Sequence, residues 1–275
     1  MRYLLLLFLF CSVYPVAAQK TWVDVYLGDM NYQGDFQDKR YTFQQSHLAG
    51  GLGITTNIND HFAWRVQLLF GKVSADDKLG RNKSRNLNFA SSIFEAQGAI
   101  QYYFTPLNSR SLTPYVFAGL AMYHFNPYTH DTTGAKYFLK PLSTEGEGFI
   151  QGRKPYSLTQ MAIPFGFGVK LSLTDNLNVG VELGLRKLFT DYLDDVSTTY
   201  VDESQLLSAR GPIAVELAYR GDELKPGAPY PPANTIRGGS KSKDWYYITA
   251  LTFSFRLGAT VSRQGAGNFS NCPTR

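Results

Sequence analysis

Histidines are the first residues to consider for metal or acid–base chemistry. The chain has four of them, His47, His61, His124 and His130, and they stand far apart in the sequence. None of their spacings matches the short intervals that bring several ring nitrogens to one metal ion. The sequence also shows no strand–turn–helix nucleophile motif and no glycine-rich phosphate-binding loop. We therefore expect neither an enzyme nor a cofactor.

Acidic residues form one dense group in the last third of the chain. The group consists of Asp191, Asp194, Asp195, Asp202 and Glu203. Carboxylate oxygens are the ligands that calcium prefers, so a calcium site is one interpretation. The spacing does not match an EF-hand loop, and the simpler expectation is the solvated rim of a loop.

Composition narrows the class of protein. The chain has 275 residues and a formal net charge of +5, and its basic residues are scattered, which argues against a nucleic-acid partner. A mean hydropathy of −0.21 is too low for a protein that crosses the membrane with several apolar helices. Aromatic residues make up 15% of the chain and there are 25 glycines, a composition typical of all-β proteins.

The N-terminus has the features of a secretory signal peptide. Arg2 precedes the apolar run 4–10, and the small residues 16–18 end the segment. A lipoprotein signal at Cys11 is the alternative, but Phe10 stands where a small residue is needed. Cleavage after residue 18 leaves Cys272 as the only cysteine, so no disulfide can form within the chain.

Alternation of apolar and small or polar residues is the dominant pattern of the remaining sequence. It predicts β-strands whose two faces differ. The eight predicted strands lie near 21–29, 43–56, 61–73, 88–104, 114–126, 157–174, 177–189 and 243–256. Short connections alternate strictly with long ones, which predicts an eight-stranded antiparallel transmembrane β-barrel with short periplasmic turns and long extracellular loops. In strand 114–126, either Tyr115 or Val116 could begin the lipid-facing set.

Charged residues fall on the polar face of the predicted strands. They are Asp24, Glu95 and Glu182, with Arg65, Lys170 and Arg186. Because buried charges are costly unless they are paired, we expect a neutral network inside a barrel that side chains fill. The alternative is a secreted soluble sandwich or lipocalin-like barrel with its apolar face inward.

These features divide the chain into three parts. We expect a signal peptide at 1–18, an outer-membrane barrel at 19–256 and a periplasmic tail at 257–275. The end of the chain has basic residues but no acidic one, and it contains the lone cysteine. The candidate contacts for a periplasmic partner are Arg256, Arg263, Cys272 and Arg275.

Two segments carry a resemblance to a known family. The first is the block T-D-Y-L-D-D-V-S at 190–197, and the second is R-G at 237–238 followed by D-W-Y at 244–246. They resemble the PorG-like outer-membrane proteins of Bacteroidota, small barrels similar to the OmpA transmembrane domain. The residues concerned are Thr190, Asp191, Tyr192, Asp194, Asp195, Val196, Arg237, Gly238, Asp244, Trp245 and Tyr246.

The resemblance implies a non-enzymatic component of the type IX secretion machinery. Such a protein would contact outer-membrane lipids and anchor a periplasmic ring, made of a lipoprotein and a partner protein, at the membrane. A narrow barrel filled by side chains cannot pass a folded protein, so the chain would be an anchor and not the conduit. The alternatives are a generic OmpA-like barrel for envelope integrity or for ligand or host binding through its outer loops, and an enzyme with rim residues near His124 and His130.

Overall fold

The computed structural model describes residues 20–37, 42–107 and 112–258. The predicted signal peptide and the tail beyond Gly258, with Arg263, Cys272 and Arg275, lie outside these residues. The strands are β1 (Thr21–Gln33), β2 (His47–Asn57), β3 (Phe62–Asp76), β4 (Asn88–Tyr103), β5 (Leu112–His130), β6 (Lys136–Phe138), β7 (Thr159–Thr174), β8 (Leu177–Leu188) and β9 (Trp245–Arg256). The helices are α1 (Glu203–Arg210) and α2 (Pro212–Ala218).

Eight of these strands form a closed antiparallel barrel, which confirms the predicted fold class. Each strand pairs with its neighbours in sequence, β5 pairs with β7, and β1 pairs with β9 to close the ring. The short strand β6 pairs only with the end of β5, outside the ring, and was not predicted. β2 begins at His47, later than predicted, because 43–45 form a 3₁₀ turn.

The two faces of each strand meet different surroundings. Outward side chains are exposed and apolar, such as Phe70 (59%) and Leu251 (51%), whereas the inward Arg65 is 1% exposed. In β5, Val116 points outward and Tyr115 is buried inside, which resolves the ambiguity of that strand. Because side chains alternate along a strand, this register gives an outer wall of mainly apolar residues.

The apolar outer wall has the height of a membrane. On β5 it extends from Leu112 to Met122, both more than half exposed. Ten residue steps of about 3.3 Å along a strand tilted by about 40° span roughly 25 Å, the height of the apolar band of outer-membrane barrels. Among the described residues, no helix is long and apolar enough to cross a membrane.

The two ends of the barrel differ. At the end that we call the short-turn end, strands are joined through 58–61, 104–111 and 175–176, and β1 begins and β9 ends there. At the other end, the long-loop end, the connections are 34–46, 77–87, 131–158 and 189–244. The described parts of these long connections pack together as a cap, and their apolar side chains continue the barrel core. Leu193 and Leu217 of the cap share one cluster with Met30 and Val73 of the barrel.

A charge introduced on the outer wall tests which exposed apolar residues face lipid. We expect Leu251→Arg to lower the free energy of unfolding in lipid vesicles by about 2–4 kcal/mol, because arginine is costly near the bilayer midplane. The matched control is Leu224→Arg in the cap, since Leu224 is 52% exposed and Leu251 is 51% exposed. The control should change stability by less than about 0.5 kcal/mol in a urea titration. Equal effects of the two substitutions would contradict a lipid-facing wall.

Candidate functional site

The six charged side chains on the polar face all lie inside the barrel, and each acid meets one base. Nearest the short-turn end, Lys170 Nζ is 3.6 Å from Asp24 Oδ1. Asp24 also accepts hydrogen bonds from the hydroxyls of Thr55 (2.5 Å) and Ser254. The small polar residues on neighbouring strands therefore satisfy the carboxylate oxygens that a single lysine leaves open.

The second pair is bidentate and lies further into the lumen. Arg65 Nη1 and Nη2 donate to the two carboxylate oxygens of Glu182 at 2.5 and 3.0 Å. Tyr115 donates to the same carboxylate at 2.7 Å, and the guanidinium lies 3.7 Å from the centroid of the Phe117 ring. Because both charged groups are buried, this pair fixes three strands, β3, β5 and β8, against one another.

The third pair lies nearer the long-loop end. Arg186 Nε donates to Glu95 Oε2 at 3.1 Å, and Tyr246 donates to the same oxygen. The amide of Gln97, oriented to satisfy its neighbours, donates to Glu95 Oε1 at 3.1 Å and accepts from Arg65 Nη2 at 3.0 Å. Gln97 thus joins two ion pairs into one network.

This network closes the lumen to large solutes. Towards the short-turn end, a cavity of about 320 Å³ opens between Trp22, Asn178 and Arg256. Gln101 and Asn178 are buried in this half of the barrel, and their amide groups have no hydrogen-bond partner among the described residues. Beyond them the ion pairs fill the cross-section, so an eight-stranded barrel of this kind holds side chains and not a channel.

The T-D-Y-L-D-D-V-S block lies at the centre of the cap. Tyr32 of β1 donates to Asp194 Oδ2, and the amide of Val196 donates to Asp194 Oδ1 at 2.9 Å. Asp195 accepts from the hydroxyls of Tyr156 (2.6 Å) and Thr144 (2.7 Å), both from the connection 131–158. The two carboxyl groups therefore attach the last long connection to the barrel and to its neighbour in the cap.

The second segment of the resemblance, around Arg237, meets the same block. Arg237 Nη1 donates to the carbonyl of Asp195 at 2.7 Å and to Glu145 Oε1 at 3.1 Å. Glu145 in turn accepts from the amides of Ser197 (2.9 Å) and Thr198 (2.8 Å). Arg237 is 4% exposed, and it is the base that faces the Glu145 carboxylate.

Asp244 and Gly238 complete the contacts between the two segments. Asp244 Oδ2 accepts from the amide of Leu193 at 3.0 Å. A Cβ atom at Gly238 would lie 2.5 Å from Asp35 Oδ2 and 2.7 Å from the amide nitrogen of Ser197, so only glycine fits there. The remaining residues of the resemblance are placed as follows: Tyr192 stacks on Tyr156 at 4.8 Å, Thr190 Oγ1 accepts from the amide of Tyr192, Trp245 packs on Phe165, and Tyr246 reaches Glu95.

Burial raises the pKa of several acids in this cap. It raises the pKa of Asp191 to about 7 and, with the neighbouring charges of Asp195 and Glu145, that of Glu147 to about 8. Burial raises the pKa of Asp195 to about 6 although Arg237 lowers it. The pKa of Asp244 is well above its usual range because of burial and of the Asp194 charge. The cap therefore holds protons at pH values where exposed carboxyl groups have lost them.

The expectation of a solvated acidic rim is wrong for three of the five acids. Asp191, Asp194 and Asp195 are at most 2% exposed. Tyr32 and Tyr156 donate to Asp194 and Asp195, and the hydroxyl of Ser197 donates to Asp191. Asp202 and Glu203 are exposed at the start of α1, where Asp202 caps the helix by accepting from the amide of Gln205. In the described part of the chain, no three His, Cys, Asp or Glu residues are arranged to hold a metal ion.

Sequence reasoning missed several residues that hold the cap together. Tyr32 continues the alternation of β1 beyond the predicted strand end, so a longer strand would have included it. Glu145 and the Arg85–Asp77 pair (2.7 Å) lie in loops without periodicity, where no local signal marks them. Arg256, a predicted partner contact, lies at the short-turn end and lines the 320 Å³ cavity.

A closed barrel with an apolar wall of membrane height and a sealed polar lumen defines a small outer-membrane β-barrel protein. Residues 1–210 match the model of a family described as a domain of unknown function, DUF6089, and the chain belongs to that family. Among curated protein sequences, none matches the chain.

Solved structures of similar fold are outer-membrane barrels with little sequence identity. Ail, the attachment invasion locus protein of Yersinia pestis, is 6% identical, with 87% of this chain and 99% of that chain covered and a TM-score of 0.42. A major outer membrane protein of Thermus thermophilus is 12% identical, with 87% and 100% covered and a TM-score of 0.42. Neisserial surface protein A is 10% identical, with 86% and 95% covered and a TM-score of 0.37.

Removing one partner of the central ion pair tests how the lumen is stabilised. We expect Glu182→Leu or Arg65→Met alone to lower the free energy of unfolding by about 3–5 kcal/mol, because the other charge is left buried and unpaired. The double variant should lose much less than the sum of the two, since no unpaired charge remains. Urea titrations in vesicles measure all three values. Additive losses would show that the pair is not coupled.

The raised pKa values predict that the cap weakens as the pH rises. A carboxyl group whose pKa is higher in the folded state binds protons more tightly there, so its stabilising effect is lost between its unfolded value of about 4 and its folded value. Between pH 5 and 8, we expect hydrogen-exchange protection of the Leu193 and Val196 amides, corrected for intrinsic rates, to fall at least about ten-fold.

Two variants give this pH experiment its control. Asp191→Asn should reduce the pH dependence, because one of the buried carboxyl groups that titrate in this range is removed. Asp202→Asn should leave it unchanged, because Asp202 is exposed and its pKa is lowered by hydrogen bonds from Ser204 and Gln205. Protection that rises with pH, or that is equally affected by both variants, would contradict the prediction.

Proposed function

We propose that this protein is a non-enzymatic anchor of the type IX secretion machinery in the outer membrane, holding a periplasmic ring of a lipoprotein and its partner. The observation that carries an anchoring role is the lumen, which three ion pairs fill and the cap covers. A barrel sealed in this way cannot be the conduit for a folded cargo, so its use lies in its surfaces.

The assignment to the type IX machinery comes from the resemblance to PorG-like proteins. The geometry of the structure limits where a partner can bind. Most residues of the two segments that carry the resemblance are buried in the cap and bond to one another. They define the shape of the cap and are not accessible to a partner. We place the ring contact at the short-turn end, which faces the periplasm if the long loops face outward.

At the short-turn end the barrel itself carries charges of both signs. Lys20, Arg256 and Asp175 line the cavity there, and Asp60 lies in the turn 58–61. The sequence beyond the barrel adds Arg263, Cys272 and Arg275 and no acid. Because this added sequence is basic, we propose that the ring presents acidic groups to it.

The buried acids of the cap support a role without catalysis. The carboxylate oxygens of Asp194, Asp195 and Glu145 accept hydrogen bonds from other residues of the cap. These bonds hold the loops together and leave few free acceptor positions for a substrate. The histidines are dispersed, since His61 bonds to the Tyr103 carbonyl near the short-turn end and His124 to Thr159 on the outer wall. Rim catalysis needs these groups to converge.

The test is the secreted proteome of a deletion strain, with and without the full-length gene restored. We expect proteins with C-terminal sorting domains to disappear from the medium and to accumulate in the periplasm, and restoration to reverse both changes. Unchanged secretion would contradict the proposal. The alternative would then be an OmpA-like barrel for envelope integrity or for ligand or host binding, with the cap as the binding surface.

A second strain locates the contact. It carries a chain that ends after Gly258, with the barrel complete. We expect the ring lipoprotein to co-purify at least several-fold less with this chain than with the full-length protein, while the amount of barrel in the outer membrane is unchanged. Equal co-purification would exclude Arg263, Cys272 and Arg275 from the contact.

A further inference from the structure

A cavity opens on the outside of the cap, next to the end of β5 and just beyond the apolar band. Its volume is about 480 Å³, within the range of small-molecule sites. Apolar groups form much of its surface, contributed by Phe138, Pro141, Pro155 and Leu158. It lies outside both the lumen and the acidic centre of the cap.

Strand register fixes the height of this cavity relative to the membrane. Phe70, Phe94 and His124 lie side by side on β3, β4 and β5, at the upper edge of the apolar wall. Asn126, which lines the cavity, is the next outward residue of β5 beyond His124. The cavity therefore begins where acyl chains end and polar headgroups lie.

Positively charged side chains surround the cavity. Lys140 and Arg210 line it, and Lys136 holds its ammonium group 3.7 Å from the Tyr128 ring centroid and 4.9 Å from that of Phe138. Arg210 Nε donates to Ser143 Oγ at 3.2 Å, which fixes the guanidinium at the cavity edge. None of the described lining residues is acidic, and the described residues provide no carboxylate within 4 Å of these three cations.

The hairpin that carries Lys136 is ordered by its own turn. Asp131 Oδ1 accepts hydrogen bonds from the amides of Thr133 and Ala135, both at 2.9 Å. These bonds close the connection between β5 and β6 and keep this carboxylate within the turn. Lys136 is thereby held beside Phe138, at one edge of the cavity, on a short strand that is not part of the barrel ring.

We propose that this cavity binds the headgroup of an anionic, phosphate-bearing membrane lipid. The phosphate meets Lys136, Lys140 and Arg210, and the first acyl methylenes pass over Phe138 and Leu158 towards the exposed Met122 of the apolar wall. A free phosphate ion would use the cations but not the apolar surface. Continuity with the lipid-facing wall and the unbalanced positive charge together select a lipid.

Lipid retention by the purified full-length protein tests the site. Native mass spectrometry would compare phosphatidylglycerol with phosphatidylcholine of the same acyl chains, added to the protein in a neutral detergent. We expect phosphatidylglycerol to be retained at least ten-fold better. In Lys136→Gln/Lys140→Gln/Arg210→Gln this preference should fall to less than about two-fold, because the phosphate loses its partners.

The control variant is Lys83→Gln/Lys225→Gln/Lys241→Gln, which removes three positive charges from exposed positions that do not line the cavity. It should keep the wild-type preference. Leu158→Ser should weaken retention of both lipids, and a large excess of inorganic phosphate should displace little phosphatidylglycerol. Lys136→Gln alone, at an exposed position, repeats the test with minimal effect on folding.

Three outcomes would overturn the proposal. The first is an unchanged preference in the cavity variant, and the second is equal loss in the control variant, which would indicate attraction by net charge. The third is displacement of the lipid by inorganic phosphate at similar concentration, which would show an ion site without lipid recognition. None of these results depends on whether the protein belongs to a secretion machine.

Discussion

Charge pairing inside a narrow barrel is the constraint on which the structure depends. Eight strands enclose just enough space for side chains, and water cannot screen an isolated charge there. Three acids and three bases satisfy this condition, and two arginines do so with several hydrogen bonds each. The resulting network joins strands that are distant in sequence, since Arg65 and Glu182 are 117 positions apart. In this barrel the paired side chains also fill the lumen.

The cap meets the same electrostatic problem by a different route. Its centre contains more acids than bases, with Arg237 and Arg85 facing a larger number of buried carboxyl groups. Hydrogen bonds from tyrosine hydroxyls and backbone amides compensate in part for the missing bases. Bound protons compensate for the rest, as the raised pKa values of Asp191 and Asp244 indicate. The lumen network is thus neutral by composition, whereas the neutrality of the cap depends on pH.

The sequence predicts the barrel much better than the cap, for a physical reason. Alternation within each strand assigns Arg65, Glu182 and the other charged residues to one face, because side-chain direction is a local property. Which acid meets which base depends on the stagger between strands, and no single strand encodes it. In the cap, the partner of Asp194 is Tyr32, 162 residues away, so a local reading could only suggest a solvated rim.

The residues that carry the family resemblance therefore specify an internal structure, and this limits what they can say about partners. Tyr246 connects that structure to the lumen through Glu95, and Gln97 extends the connection to Arg65. A signal between the two ends would have to break this chain of bonds. Separating one buried ion pair costs several kcal/mol, so spontaneous rearrangement is rare. We expect the short-turn end and the cap to act as separate surfaces on a rigid support, each with its own ligands.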